Sequence, residues 1–190
     1  MKETKFYLIT DTHYFAPKLG CSGPEYDDFM HYEQKCFAET ASINRSVIDY
    51  LKEAKEADNV LIAGDLSFNG EFESHKQFIA LLNELRESGK NVYVVTADHD
   101  FKWDQWGTFA FGENGRYNPE HTTRDELIDL YSDFGFELFE NLGSYRNVYV
   151  NIIEKALVCC RTECKSCIGI ESFYSLRHNV RSRVAKNLKF

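Results

Sequence analysis

The sequence predicts an α/β domain built on a parallel sheet. Three short apolar runs, at residues 5–10, 59–63 and 91–96, alternate with two stretches of helical apolar spacing. That alternation is the pattern of parallel strands joined by helical crossovers. Each run is also followed within a few residues by aspartate, and two of the three by histidine. Ligands of such sheets bind outside the carboxyl ends of the strands.

The first run, in "KFYLITDTHYF", stops at Asp11, with His13 two residues on. Residues 14–32 read as irregular, punctuated by Pro17, Gly20, Gly23 and Pro24. Residues 32–57 are expected to be helical, with Phe37, Ala41, Ile48, Leu51 and Ala54 near one face. The second run, "NVLIAGD", delivers Gly64 and Asp65. A second amphipathic helix over 72–87 turns Phe78, Ile79, Leu82 and Leu85 inward and is ended by Gly89. The third run delivers Asp98, His99 and Asp100. A long aromatic loop is expected from 101 to 121. Thr123 and Glu126 then have the spacing of a capping box, opening a helix with apolar positions Leu127, Ile128, Leu130, Tyr131 and Phe134. Residues 145–153 and 156–160 read as two strands of a hairpin across Glu154-Lys155.

Composition bounds the function. With 190 residues and 43% apolar content, the chain can bury one ordinary core. Its net charge of −8 disfavours nucleic-acid and anionic-membrane surfaces, which need a basic face. No apolar run approaches the ~20 residues of a membrane span. The first residues lack the pattern of a signal peptide, so a cytoplasmic location with six reduced cysteines is the expectation.

Three strand ends thus bring Asp11, His13, Asp65, Asp98 and His99 to one edge. An aspartate after a single strand is ordinarily a turn or a cap. The convergence of three such groups makes a candidate metal site, and carboxylates with imidazoles suit divalent Zn, Mn or Fe. A carboxylate between two ions can bridge them at the ~3.5–4 Å spacing of two-metal hydrolases.

These motifs resemble the calcineurin-like metallophosphoesterases. Asp11-Thr12-His13 matches their D-x-H, and residues 64–70, "GDLSFNG", match G-D-x-x-x-x-G. "ADHD" at 97–100 stands in the place of their G-N-H-D/E. The resemblance covers roughly residues 5–150. It implies an αββα sandwich around a dinuclear metal centre, and hydrolysis of a phosphoester by metal-activated hydroxide, with a phosphodiester slightly favoured. By position, Asp11 and His13 would ligate the first ion, Asp65 would bridge, and Asp98 would ligate the second. His99 would stabilise the phosphoryl transition state or protonate the leaving oxygen. Asn69 is a candidate substrate contact.

The chain departs from the family pattern in two places. Asp98 replaces a neutral amide with a charge, and Ala97 replaces a glycine, which would strain the turn if that position needed positive φ. The family's later histidines, including a G-H-x-H pair, have no counterpart, since only His178 follows His121. Both ions are then expected to be short of ligands. This raises an alternative of another class: a catalytically impaired metal-binding or interaction module, or a site completed by self-association with a second copy. The expected partner is otherwise a small phosphoester, with no nucleic acid and no membrane.

The expected division is a phosphoesterase-like domain at 1–158 and a divergent tail at 159–190. The tail carries "CCRTECKSC" and is basic, its only acidic residues being Glu163 and Glu171. It reads as the end of a fragment or of a shifted reading frame. Its cysteine spacing also occurs in iron–sulfur and zinc sites, but reduced thiols are the expectation here. His31, His75 and His121 read as surface, packing or loop residues. The aromatic side chains of the 101–121 loop, Trp103, Trp106, Phe109, Phe111 and Tyr117, either pack on one another or wall a substrate pocket.

Overall fold

The computed structural model describes residues 5–33, 35–101 and 107–135, with Asp98 by its backbone alone. It also describes the backbone of strands at 139–142, 145–153 and 156–161. The expectations for Trp103, Trp106, the Asp98 side chain and residues 162–190 lie outside the described residues. The chain divides into two units, residues 1–137 and 138–190.

The first unit is built on the expected parallel sheet. Its strands are β1 (Phe6–Ile9), β2 (Asn59–Ala63) and β3 (Asn91–Val95), with β2 in the middle. Phe6 pairs with Asn59, and Asn59 with Asn91. Val60, Leu61 and Ile62 are buried, as a parallel strand covered on both faces requires. The apolar run at 5–10 implies a buried β1, yet Phe6 and Leu8 are about half exposed. Phe6 and Leu8 alternate along the strand and so share one face of the sheet, which is therefore left largely uncovered at β1.

Between these strands run the helices α2 (Thr40–Glu53) and α3 (Phe72–Glu87). They are tied to each other by a two-pronged contact, in which Arg45 donates to both oxygens of Glu84 at 2.6 and 2.8 Å. The first of them starts later than its apolar spacing implies. His31 and Tyr32 form a turn, and a short 3-10 turn at Phe37–Glu39 precedes Thr40. Local bonds compete with the helix there: Glu33 accepts from the Lys35 amide, and Phe37 donates back to the Lys35 carbonyl.

Another helix, α1 (Pro24–Met30), occupies part of the stretch expected to be irregular. Pro24 sits in its first turn, so the Gly-Pro pair that reads as a loop signal is a helix start. The expected 101–121 loop likewise contains a hairpin, β4 (Ala110–Gly112) with β5 (Gly115–Tyr117). Phe111 from β4 joins Phe15, Phe37 and Phe68 in an aromatic core, and Phe109 and Phe29 pack against it. Phe109 and Phe111 pack on each other and, more extensively, on this core from other segments.

α4 (Arg124–Leu130) opens with the expected capping box. Thr123 Oγ1 accepts from the Glu126 amide, and the Glu126 carboxylate accepts from the Thr123 amide. Leu127, Tyr131 and Phe134 are buried. The second unit is an antiparallel sheet of β6 (Phe139–Leu142), β7 (Tyr145–Ile153) and β8 (Ala156–Arg161), in that order. Its β7–β8 hairpin is the one the sequence predicts, and β6 is additional. Among the described residues no helix is long and apolar enough to cross a membrane.

Candidate metal centre

The loops leaving β1 and β2 run side by side beyond the sheet. The His13 amide donates to the Asp65 carbonyl at 2.8 Å, and the Tyr14 amide to the Leu66 carbonyl at 2.9 Å. The Thr12 hydroxyl adds a bond to the Leu66 carbonyl at 3.0 Å. This pairing places Asp11, His13 and Asp65 in one cluster, each offering a ligand atom within 4.8 Å of the others. His13 Nε2 stands 3.9 Å from Asp11 Oδ1 and 3.7 Å from Asp65 Oδ2. Asp11 is solvent-facing, whereas His13 and Asp65 are largely covered.

The backbone marks the same three residues. Asp11, His13 and Asp65 have φ of 55°, 39° and 50°, and no other non-glycine residue described has positive φ. Side chains in this left-handed region cost roughly 1–3 kcal/mol each, and such strain concentrates at functional sites. Two acids and an imidazole held this way form an O,N,O donor set suited to a divalent first-row ion.

The cluster extends to β3. The His99 ring lies edge-on to that of His13, with centroids 5.1 Å apart. Its Nδ1 is 2.8 Å from the Phe68 carbonyl and 3.0 Å from Asn69 Oδ1. Asp98 and His99 belong to a 3-10 turn, Asp98–Asp100, directly beyond β3. Lys35, which the sequence does not single out, places Nζ 3.4 Å from His13 Nδ1 and over the Phe68 ring. Burial, then the charge of Lys35 and the proximity of His99, push the His13 pKa down to about 4, against a smaller opposing pull from Asp11.

The sequence matches the family model of the calcineurin-like phosphoesterases over residues 4–179. The chain belongs to that family. Family membership brings metal-dependent phosphoester hydrolysis as the coarse activity, and the Asp11–His13–Asp65 group is a candidate place for the metal. The matched span runs well beyond residue 150, where the motif resemblance fades. No curated protein matches the chain individually.

In this phosphoesterase the site loops hang on polar side chains that apolar periodicity passes over. Asp100 is fully buried and accepts three backbone bonds, from Leu66 and Ser67 on the β2 loop and from Ala97 on its own. It staples the two loops that carry Asp65 and His99. From α2, Asn44 donates to the Thr12 carbonyl at 2.9 Å, and Thr40 Oγ1 accepts from the Phe15 amide at 3.0 Å. From α3, Ser74 Oγ accepts from the Ala16 amide. His75 is fully buried between the Tyr131 hydroxyl at 2.9 Å and the Asp100 carbonyl at 2.7 Å. It is thus a packing histidine, and its burial pushes its pKa down to about 4. The available signal was position: Thr40, Asn44, Ile48 and Leu51 lie on one helical stripe, so two polar residues occupy core places.

Proposed function

We propose that this phosphoesterase hydrolyses phosphoesters with the help of divalent ions, and that a phosphodiester is its preferred substrate class. The carrying observation is that the three residues in strained left-handed backbone are the three whose ligand atoms converge. In this reading Asp11 and His13 hold one ion, Asp65 reaches both ions through its two oxygens, and Asp98 serves the second. Mn, Fe and Zn all suit these donors. Ions bound there would polarise the phosphoryl oxygens and make hydroxide available near neutral pH.

The protein's own groups supply the remainder. Water gives up a proton as it attacks phosphorus, the ester P–O bond breaks, and the departing oxygen takes a proton from His99 Nε2, which the released proton restores. A phosphodiester is favoured electrostatically. Asp11 and Asp65 give the site negative charge, which repels a monoanionic diester less than a dianionic monoester.

The alternative of an impaired metal-binding module draws on Lys35, whose ammonium stands at His13 Nδ1. Both readings place metal at the same residues, and turnover separates them. The test is hydrolysis of an aryl phosphodiester with added manganese, with and without chelator, by the wild type and by Asp65→Asn. Asparagine tolerates the left-handed backbone at this position. The expected result is slow, chelator-sensitive turnover that Asp65→Asn abolishes. Turnover indifferent to both would sink the hydrolase reading.

A further inference from the structure

His99 is held in a way that assigns its proton. A backbone carbonyl can only accept, so Nδ1, 2.8 Å from the Phe68 carbonyl, carries the hydrogen. The Asn69 atom 3.0 Å from the same nitrogen is then the amide oxygen, and one N–H is shared between two acceptors. With the Nδ1 proton held there, the ring can take up or give a proton only at Nε2. The backbone of His99 is fixed as well, since its carbonyl accepts from Ser67 Oγ at 3.0 Å.

Asn69 is itself unusually constrained. It is buried at 7% exposure. Its amide donates to Glu71 Oε1 at 2.9 Å, and its carbonyl accepts from Thr108 Oγ1 at 2.9 Å. The Glu71 side chain is wholly buried, so that anchor does not drift with solvent. A side chain whose backbone is gripped on both sides is well suited to orienting another group.

We propose that Asn69 is a positioning residue for His99: its Oδ1, together with the Phe68 carbonyl, keeps the His99 proton on Nδ1 and the ring in one plane, so that Nε2 is the working nitrogen. This rests on the hydrolase reading for its catalytic meaning, but its geometry does not. The role differs from substrate contact, because it acts on the chemical step through His99 and leaves substrate affinity alone.

The test uses the full chain, metal-free, with 15N-labelled histidine. The wild-type His99 is expected to show a proton on Nδ1 that exchanges slowly with water. In Asn69→Ala that proton should exchange about tenfold faster or vanish from the spectrum, the second acceptor being gone. Asn69→Asp keeps an acceptor oxygen and should restore the signal. Asn69→Ser, too short to reach the ring, repeats the loss if the alanine variant does not fold. With manganese and an aryl phosphodiester, Asn69→Ala should lower kcat about tenfold with KM nearly unchanged. A proton found on Nε2 in the wild type, or an Nδ1 proton indifferent to Asn69→Ala, would overturn the proposal. So would a variant that raises KM and leaves kcat alone, which would make Asn69 a substrate contact. Absence of wild-type turnover defeats only the hydrolase reading, because the resonance measurement decides the positioning role without it.

Discussion

A Cβ placed on Gly64 would stand 2.8 Å from the Cβ of Ala97. The sequence locates the steric question of this turn at Ala97, which replaces the family's glycine. Ala97 in fact sits in extended backbone, at φ −130°, and carries no strain. The demand falls across the loop on Gly64, which has φ +82° and whose neighbour is Asp65.

Gly64→Ala is therefore penalised twice, once for left-handed backbone and once for the contact. Gly89 supplies the control, with φ +96° and nothing within 4 Å of the place a Cβ would take. Gly89→Ala should lose about 1 kcal/mol, and Gly64→Ala about 2–4 kcal/mol. Adding Ala97→Gly to Gly64→Ala should recover the difference. Urea unfolding of the four proteins measures this, and a double variant no better than Gly64→Ala would show that the contact is not what costs.

Glu71 gives a pH signature. Burial pushes its carboxyl up to about 7 from an ordinary 4.5. Between those values the folded protein keeps a proton that the unfolded chain releases, so this group's contribution to stability is complete below pH 4.5 and is lost as pH rises to 7. Glu71→Gln cannot titrate. Its stability relative to the wild type should therefore improve by about 3 kcal/mol between pH 4.5 and pH 7.5. A constant difference across that range, from denaturant melts at each pH, would mean that Glu71 is ionised in the fold.

Much of this was legible in the sequence, and for local reasons. Continuous apolar runs mark β2 and β3, and Thr123 with Glu126 marks the start of α4, because strand burial and capping are written in short windows. Asp11, His13 and Asp65 were legible because each follows a strand. The hidden part is non-local. Nothing near Asp100 announces that its carboxylate will accept amides from residues 66 and 67. Lys35 meets His13 from the stretch before Thr40, where the expected helix has not yet begun. Asn44 and Ser74 read as interruptions of apolar stripes, and their purpose appears only when the β1 loop lies against them.

Metal content tests the centre directly. The wild type, dialysed against manganese and then metal-free buffer, should retain fewer than two ions per chain. The donor set described is three residues, and the late histidines of the family pattern have no counterpart. Asp65→Asn should cost more of that metal than Asp11→Asn, because Asp65 is the more covered carboxylate and, in the proposed reading, the bridging one. Two ions held tightly would reveal a further ligand, with His121 the first residue to substitute.

Lys35 should oppose metal at His13. A histidine that ligates through Nε2 needs its lone pair there and its proton on Nδ1. The Lys35 ammonium, 3.4 Å from Nδ1, favours the reverse arrangement by donating to that nitrogen. Its positive charge also adds to the repulsion a cation meets on arrival. Partners of ligating histidines are ordinarily acceptors, so a lysine in this place works against the ligand rather than for it. Lys35→Met preserves an apolar stem over the Phe68 ring and removes the donor. It should tighten manganese binding by about tenfold, the effect of roughly 1.4 kcal/mol of relieved repulsion. Calorimetric titration of both proteins reads this out. If Lys35→Met binds manganese more weakly than the wild type, the lysine supports the centre, and the tautomer competition described for His13 is wrong.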